Sequence, residues 1–237
     1  MKIINIAAYK FVTISNKSLP NLKKRLWEKA LECNLKGTIL LSTEGVNLMM
    51  AGQREALEIY KQFLVDKNEF KDLTYKKSFS SFYPFKKLVV RIKKEIITMR
   101  CADINPEKKT APHLSAEILH RWYEEKQEMI ILDTRNRFEF VMGTFANAID
   151  LSLTSFSDFP QAVDRLPESF KEKPVVTFCT GGIRCEKASA LMLKKGFKKV
   201  YQLNGGILNY FEKCGGEYFK GKCFVFDDRI ALEAGYS

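Results

Sequence analysis

Short apolar strands alternate with helical segments through the second half of the chain, and this order constrains the fold more than any other feature. Segments 115–126 and 186–196 have the apolar spacing of amphipathic helices, with Ser115 expected to cap the first and Gly196 to end the second. Strand-like runs are MIILDTR, NAIDLS, PVVTF and KKVYQLNGG. Buried strands that alternate with helices predict an α/β fold with a mainly parallel sheet. In such folds the reactive groups gather at the carboxyl ends of the strands.

The first hundred residues predict a different arrangement. Residues 3–14 form an apolar, β-rich run, residues 19–34 have helical spacing, and GTILLSTEGVNLMMAG predicts two strands around a tight turn at 42–46. A second helix begins at Gln53, and a further strand begins at Lys87. The order strand, helix, strand, strand, helix, strand is that of a split βαβ domain, with helices on one face of a small sheet. The predicted fold class therefore joins an α+β domain to an α/β domain.

A polar connector with two prolines, CADINPEKKTAPHL, separates the two arrangements. We therefore predict a first domain over residues 1–100, a linker over 101–114, a second domain over 115–215 and a C-terminal extension over 216–237.

Composition limits where a chain of this kind works. A hydrophobic content of 46% over 237 residues is enough for a core in each of two modest domains. No run approaches the roughly 18 to 20 apolar residues of a membrane span, and the N-terminal stretch is cut by Lys10 and lacks a small-residue cleavage site. Six irregularly spaced cysteines do not form a secreted disulfide framework. We expect a cytoplasmic protein with free thiols and no membrane association.

The positive charge is concentrated in the first predicted domain. Residues 1–100 hold 20 Lys and Arg against 9 Asp and Glu, whereas residues 101–237 hold 19 of each. Lysine pairs such as Lys86 with Lys87 and Lys93 with Lys94 lie close to phenylalanines and a tyrosine. Basic groups neutralise phosphates and aromatic faces stack on unpaired bases, so this composition favours RNA as the partner. The alternative interpretation is a solvated surface that only aids solubility.

The stretch FCTGGIRCE, residues 178–186, is the strongest chemical signal. It passes from the strand PVVTF into a helix, so successive backbone N–H groups can converge on the sulfur of Cys179, and its glycines let the chain curl. A helix N-terminus and the charge of Arg184 are expected to lower the thiol pKa. The same loop can hold a thiolate, a persulfide, an oxyanion or a sulfenate. A merely structural buried cysteine is the alternative.

Two sets of motifs resemble known families. Asp133, Arg135 and Glu139 in ILDTRNRFEF, the loop from Cys179 to Arg184, and LNGGI resemble a rhodanese domain. More narrowly, AYKF, KGTILLSTEGVN, CTGGIRCEKAS and CFVFDDR resemble the tRNA uridine hydroxylase family, over nearly the whole chain. That family joins a ferredoxin-like, acylphosphatase-like N-terminal domain to a rhodanese-like domain.

The resemblance implies oxygen-dependent hydroxylation at C5 of uridine 34, the wobble base of certain tRNAs, with molecular oxygen as co-substrate. It implies the anticodon arm of tRNA as the partner and the cysteine matching Cys179 as catalytic. Uridine 34 lies in a loop, where a base is splayed out at little cost. We predict Cys179 and Arg184 as catalytic residues, and we predict these substrate-binding residues: Thr180, Gly181, Gly182, Ile183, Lys86, Lys87, Lys93 and Lys94.

Other functions compete with this prediction. A sulfurtransferase would carry a persulfide on Cys179 and pass it to a thiol or RNA acceptor, and the loop length suits it. A protein phosphatase of the related type needs an arginine six residues after the cysteine, where this chain has Cys185. A noncatalytic RNA-binding module would tolerate loss of Cys179.

The sequence shows no cofactor signature and no strong metal motif. A Rossmann glycine pattern is absent, and His113 and His120 are expected to be polar groups in the linker and on a helix. Cys214 and Cys223 lack the short spacing typical of zinc ligands. Cys185 is either a disulfide partner of Cys179 or a packing residue behind the loop. The three charged residues of the rhodanese pattern are expected to fasten a strand end through hydrogen bonds rather than to react.

Overall fold

The structure, a computed structural model, describes residues 2–235. Residue 1 of the predicted first domain and residues 236–237 of the predicted C-terminal extension lie outside the described residues. The chain forms two compact units. The first comprises the chain up to Ile97 together with Asp227–Arg229, and the second comprises Thr98–Phe226 and the chain from Ile230.

The first unit is a five-stranded sheet with two helices. Its elements in chain order are β1 (Ile3–Phe11), α1 (Leu19–Glu32), β2 (Lys36–Ser42), β3 (Gly45–Gly52), α2 (Arg54–Val65), β4 (Lys76–Ser80) and β5 (Leu88–Ile92). The strand order is β4-β1-β3-β2-β5. β1 is antiparallel to β3 and β4, and β2 is antiparallel to β3 and parallel to β5.

The core of this unit lies between the sheet and both helices. Alternate residues of β1, namely Ile4, Ile6 and Ala8, are buried in one cluster with residues of α1 and α2. The hydroxyl of Tyr60 in α2 donates to the carbonyl of Leu26 in α1 at 3.2 Å. Both helices therefore pack on the same face of the sheet, as predicted, and the predicted turn between β2 and β3 is also confirmed.

The strand that completes the split βαβ order is β4, which the sequence prediction did not include. β4 pairs with β1, whereas the predicted last strand, from Lys87, is β5 and pairs in parallel with β2. β5 ends at Ile92, short of the predicted length. As an edge strand, β4 has mostly half-buried side chains, so KKSFS lacks the alternation that marks a strand.

The second unit is built around a parallel sheet. Its first elements are β6 (His113–Leu114), α3 (Ala116–Glu124), β7 (Ile130–Asp133), α4 (Arg137–Met142), β8 (Gly143–Phe145), β9 (Ala148–Asp150) and α5 (Phe159–Asp164). They are followed by β10 (Pro174–Phe178), α6 (Ile183–Lys194), β11 (Lys199–Leu203), α7 (Gly206–Cys214), β12 (Phe219–Gly221), β13 (Cys223–Phe224) and β14 (Ala231–Leu232). Two 3-10 helices cover Phe156–Asp158 and Glu168–Glu172.

The strand order β6-β11-β10-β7-β9 is parallel at every neighbouring pair, which confirms the predicted parallel sheet. β8 pairs with β12 and β13 with β14 in two small antiparallel sheets. The predicted caps are also confirmed. Ser115 Oγ accepts from the N–H of Ile118 at 3.3 Å, and Gly196 follows α6 with φ 91°.

The segment 101–114 packs as part of the second unit. It contributes β6 to the sheet and buries Ile104 and Ala111. The side-chain amide of Gln202 donates to the carbonyl of Ala111 at 2.8 Å, which ties the segment to β11. The hydroxyl of Thr110 also donates to the carbonyl of Glu186 at 3.1 Å, while Glu107, Lys108 and Lys109 are exposed. None of the helices within residues 2–235 combines the length and apolar character that crossing a membrane requires.

Candidate active site

The loop from Cys179 to Gly182 joins the carboxyl end of β10 to the first turn of α6. β10 is the middle strand of the parallel sheet, which is where such folds place reactive groups. Cys179 follows the strand directly and is only 1% exposed. Gly182 caps α6 with φ 98°, in the left-handed region that glycine adopts without strain. This turn folds the loop back over the cysteine.

Backbone N–H groups point at the sulfur of Cys179. The N–H of Gly182 donates to it at 3.1 Å, and the N–H of Arg184 donates as well. Both groups belong to the N-terminal turn of α6, where the helix dipole adds partial positive charge. The backbone therefore stabilises an anionic sulfur, as the glycine-rich sequence predicted.

Cys185 acts on Cys179 as a hydrogen-bond donor. Its thiol is fully buried and donates to the sulfur of Cys179, and it also lies 3.8 Å from the hydroxyl of Thr134. Burial, and then the bond to the Cys179 sulfur, raise the pKa of Cys185 well above its usual range. Cys185 therefore keeps its proton. This is a role that neither of the two sequence-based alternatives for Cys185 included.

The pKa of Cys179 is lowered from 9.0 to about 5. Burial alone would raise it, but the hydrogen bond from Cys185, the charge of Arg184 and the backbone N–H groups outweigh that effect. At neutral pH the sulfur is a thiolate, the nucleophilic form of cysteine.

The guanidinium of Arg184 is buried and paired with Glu139. The two side chains form hydrogen bonds of 2.6 and 2.8 Å, and Glu139 is fully buried. Burial would lower the pKa of Arg184, but Glu139 raises it further, so the arginine stays charged. Glu139 also accepts from the N–H of Asn136 at 3.1 Å, which caps α4. Arg184 is thereby held in place as a fixed positive charge beside Cys179.

A second buried ion pair fastens the neighbouring strand end. Arg135 donates to both carboxylate oxygens of Asp133 and to the carbonyl of Gly143 at 2.6 Å. The hydroxyl of Thr144 donates to the same carboxylate at 3.0 Å. Asp133 lies beside the last residue of β10 in the sheet register. These contacts fasten the end of β7, as expected for Asp133 and Arg135.

The start of α7 supports the loop from behind, and sequence reasoning missed this contribution. The N–H of Ile207 donates to the carbonyl of Cys179 at 3.0 Å, and the N–H of Leu208 donates to that of Thr180 at 3.1 Å. A Cβ at Gly206 would lie 2.4 Å from the Cys179 carbonyl oxygen. These bonds satisfy the carbonyls of Cys179 and Thr180. LNGGI resembled the rhodanese pattern, but the spacing did not reveal this contact.

The structure brings four of the predicted substrate-binding residues together, three on the loop and Ile183 as the first residue of α6. Thr180, Gly181 and Ile183 are half-buried, and Gly182 is buried against the sulfur. The hydroxyl of Thr180 donates to the carbonyl of Phe224 at 3.2 Å, which attaches β13 to the loop.

The four predicted lysines belong to the first unit, and all four are exposed. Lys87 lines a groove of about 760 Å³ between α1 and β5, and Lys86, Lys93 and Lys94 are outside its lining. Its cationic and aromatic lining residues are Lys23, Lys24, Trp27, Lys87 and Arg91. Trp27 is 42% exposed. The residues predicted to bind RNA did not include Trp27.

The histidines and the remaining cysteines have ordinary surroundings. His113 lies in β6, 3.6 Å from Glu186, and His120 in α3 pairs with the hydroxyl of Tyr210 at 3.0 Å. Burial raises the pKa of Cys223 to about 12. Across residues 2–235, no three His, Cys, Asp or Glu residues are grouped so as to hold a metal ion.

Comparisons with known proteins cover both units. Residues 3–96 match the UPF0176 acylphosphatase-like domain, and residues 115–213 match the rhodanese-like domain. The protein named tRNA uridine(34) hydroxylase of Bordetella parapertussis is 47% identical over 98% of this chain and 96% of its own length. Proteins of the same name from Bordetella petrii and Ralstonia nicotianae are 47% and 46% identical. The chain covers 93% and 84% of these two proteins.

Proposed function

This chain belongs to the tRNA uridine(34) hydroxylase family, and we propose that it hydroxylates C5 of uridine 34 with the thiolate of Cys179 as the attacking group. The observation that carries this proposal is the surroundings of Cys179. A buried thiolate with a pKa of about 5 follows the central strand of the parallel sheet. Such a group is charged at neutral pH and ready to add to an electrophilic carbon.

The chemistry follows from the polarity of uracil. Addition of the thiolate to C6 forms a carbon–sulfur bond and moves an electron pair toward C5, which becomes nucleophilic. C5 then takes an oxygen atom from molecular oxygen, the co-substrate that the family resemblance implies. An external two-electron reductant, together with two protons, converts the second oxygen atom to water, so that uridine, molecular oxygen, two electrons and two protons give 5-hydroxyuridine and water. Loss of the C5 proton and release of Cys179 from C6 restore the pyrimidine.

The surroundings of Cys179 suit both the addition and the release. The N–H groups of Gly182 and Arg184 and the thiol of Cys185 stabilise the thiolate before attack and again when it leaves. We assign Arg184 to holding positive charge at the sulfur rather than to contact with RNA phosphates, because Glu139 already occupies its guanidinium. Thr180 and Gly181 on the loop and Ile183 at the start of α6 are less buried, and they are assigned to contact with the nucleotide.

The first unit is proposed to bind the anticodon arm. Its support is the excess of positive charge, the exposure of Lys86, Lys87, Lys93 and Lys94, and the groove in which Trp27 lies among four cations. Cations contact phosphates, and an exposed indole stacks on an unpaired base. The expected site of action is the cytoplasm, where tRNA is available.

Nucleoside mass spectrometry tests the proposed reaction. tRNA would be taken from aerobic cells that lack the protein and are complemented with the native chain, with Cys179→Ala or with Cys33→Ala as a matched control. Cys33 lies in the first unit and is not part of the loop. We expect 5-hydroxyuridine and its derivatives to return with the native chain and the control only. Modification that persists with Cys179→Ala would contradict the assignment, and a change in thiolated nucleosides alone would indicate a sulfurtransferase.

A further inference from the structure

Three phenylalanines of the second unit form a continuous cluster beside the catalytic loop, which we call the aromatic rim: Phe138, Phe224 and Phe226. Phe224 contacts Phe138 edge to face with ring centroids 5.0 Å apart, and it contacts Phe226 in the same way at 4.9 Å. Phe138 is 49% exposed and Phe226 is 51% exposed. Isolated exposed apolar residues are common, whereas these two exposed residues belong to one packed cluster next to a reactive loop, a place that suits contact with a ligand.

The aromatic rim is attached to the residues that control Cys179. The carbonyl of Phe224 accepts the hydrogen bond from Thr180, and the guanidinium carbon of Arg184 lies 5.8 Å from the ring centroid of Phe226. Phe138 immediately precedes Glu139, the partner of Arg184. Phe224 therefore contacts the loop directly, Phe226 contacts Arg184, and Phe138 is linked to Arg184 through its neighbour Glu139.

The rings match the needs of a single-stranded base. A uracil that leaves the anticodon loop loses the stacking of its neighbours, and an aromatic side chain replaces that contact. A planar aromatic face suits any base, whereas a protein partner would need a larger apolar area with complementary hydrogen bonds. Phe226 is the exposed ring that lies next to Arg184.

We propose that the side chain of Phe226 stacks on the uracil that is presented to Cys179, and that Phe224 holds the Phe226 ring in position. This proposal rests on the proposed function. Phe226 is then a substrate-positioning residue of a nucleobase site. The exposure of Phe226 in the free protein is explained because the base covers the ring only when RNA is bound.

Binding of an anticodon stem-loop tests the nucleobase site independently of hydroxylation. The full chain and its Phe226→Leu, Phe226→Tyr and Ile118→Ala variants would be titrated with an end-labelled stem-loop and with the same RNA lacking the base at position 34. Ile118 is an exposed apolar residue of α3 and serves as the control. Stacking of one base on a ring is worth at least about fivefold in affinity, so Phe226→Leu is expected to bind the intact RNA about five- to tenfold more weakly. The affinities of Phe226→Tyr and of the Ile118→Ala control are expected to stay within about twofold of the native value, because both variants keep an aromatic ring at position 226.

Removal of the base at position 34 separates stacking from other effects. The native chain is expected to bind about fivefold more weakly when the base is missing. The affinity of Phe226→Leu is expected to be nearly the same with and without the base, because the stacking contact is already absent. A Phe226→Leu variant that binds like the native chain would overturn the nucleobase site, as would one that loses the same factor with and without the base. Thiolate absorbance at 240 nm, which reports an intact Cys179 loop, excludes misfolding of the variant. Failure of the proposed hydroxylation would leave these binding results unchanged, so the two proposals fail separately.

Discussion

The carboxylate of Glu139 accepts two hydrogen bonds from the guanidinium of Arg184, while the backbone N–H of the same arginine donates to the sulfur of Cys179. Arg184 therefore contributes a charge and a backbone donor to one thiolate. Glu139 belongs to α4 and Arg184 to α6, so the pair also fixes the relative position of these helices. A buried pair of this kind is costly to break from one side, because an uncompensated charge is left inside the protein.

Glu139→Gln is expected to destabilise the second unit by about 3–5 kcal/mol, since it leaves the buried Arg184 charge without its partner. Urea unfolding measures this loss. The matched control is Glu58→Gln, which breaks the Lys61 contact of 2.8 Å on the surface of the first unit and is expected to cost less than about 1 kcal/mol. Equal losses of unfolding free energy in the two variants would show that Glu139 and Arg184 do not form a buried charge pair.

The thiolate of Cys179 gives a direct spectroscopic prediction. Absorbance at 240 nm, taken as the difference between the native chain and Cys179→Ala, is expected to titrate with a midpoint near pH 5, because the pKa of Cys179 is about 5. Between pH 6 and 9 this difference is expected to be flat. A midpoint between pH 8 and 9 would show that the loop does not stabilise the anion.

The same shift in pKa predicts how stability depends on pH. The pKa of Cys179 in the folded protein lies below its usual value of 9.0, so the unfolded chain binds the proton more tightly. The stabilisation from the thiolate is therefore complete above about pH 9, declines as the pH falls and is lost near pH 5. The difference in unfolding free energy between the native chain and Cys179→Ser should grow from pH 5 to 9. If the difference in unfolding free energy did not change with pH, the lowered pKa of Cys179 would not contribute to stability.

Cys185 is predicted to act through its hydrogen bond. Cys185→Ala is expected to raise the pKa of Cys179, because it removes the thiol that donates to that sulfur, whereas Cys185→Ser retains a donor and changes the pKa less. The titration at 240 nm measures both variants. Identical midpoints for alanine and serine would assign Cys185 to packing alone.

Two glycine variants separate the close contact at Gly206 from the cost of its left-handed backbone. Gly206→Ala places a Cβ 2.4 Å from the carbonyl oxygen of Cys179 at φ 67°, while Gly196→Ala, at φ 91°, meets nothing within 4 Å. The control is expected to cost about 1 kcal/mol from backbone strain, and Gly206→Ala about 2 kcal/mol more. Gly206→Ala should also raise the midpoint of the Cys179 titration. Equal unfolding free energies for the two variants would rule out a tight contact between α7 and the loop.

The lysines assigned to tRNA are tested by the salt dependence of binding. Replacing Lys86, Lys87, Lys93 and Lys94 by glutamate is expected to weaken tRNA binding and to reduce the slope of log affinity against log salt by roughly 3, at about 0.7–0.9 per phosphate contact. The control replaces four exposed lysines of the second unit: Lys108, Lys109, Lys198 and Lys199. An unchanged slope in the first variant, or the same loss in both, would argue against a dedicated surface on the first unit.

Local sequence patterns predicted most of the elements that the structure contains. The helices with clear apolar periodicity and the strand before Cys179 were predicted because their signals lie within a few neighbouring residues. Short elements such as α4 and α5, of six residues each, span too few turns to show a period. β4 was missed because KKSFS contains a single apolar residue and so shows no alternation of apolar and polar positions.

The sequence by itself determined that Cys179 follows a buried strand, enters a glycine turn and meets a helix N-terminus, since each of these features is set by adjacent residues. Only the tertiary structure decided which groups surround that turn. Glu139 reaches Arg184 from 45 residues away, and Gly206 lets α7 approach the loop closely. Such contacts depend on how helices pack on the sheet, and a linear sequence encodes that packing only through the free energy of the whole fold.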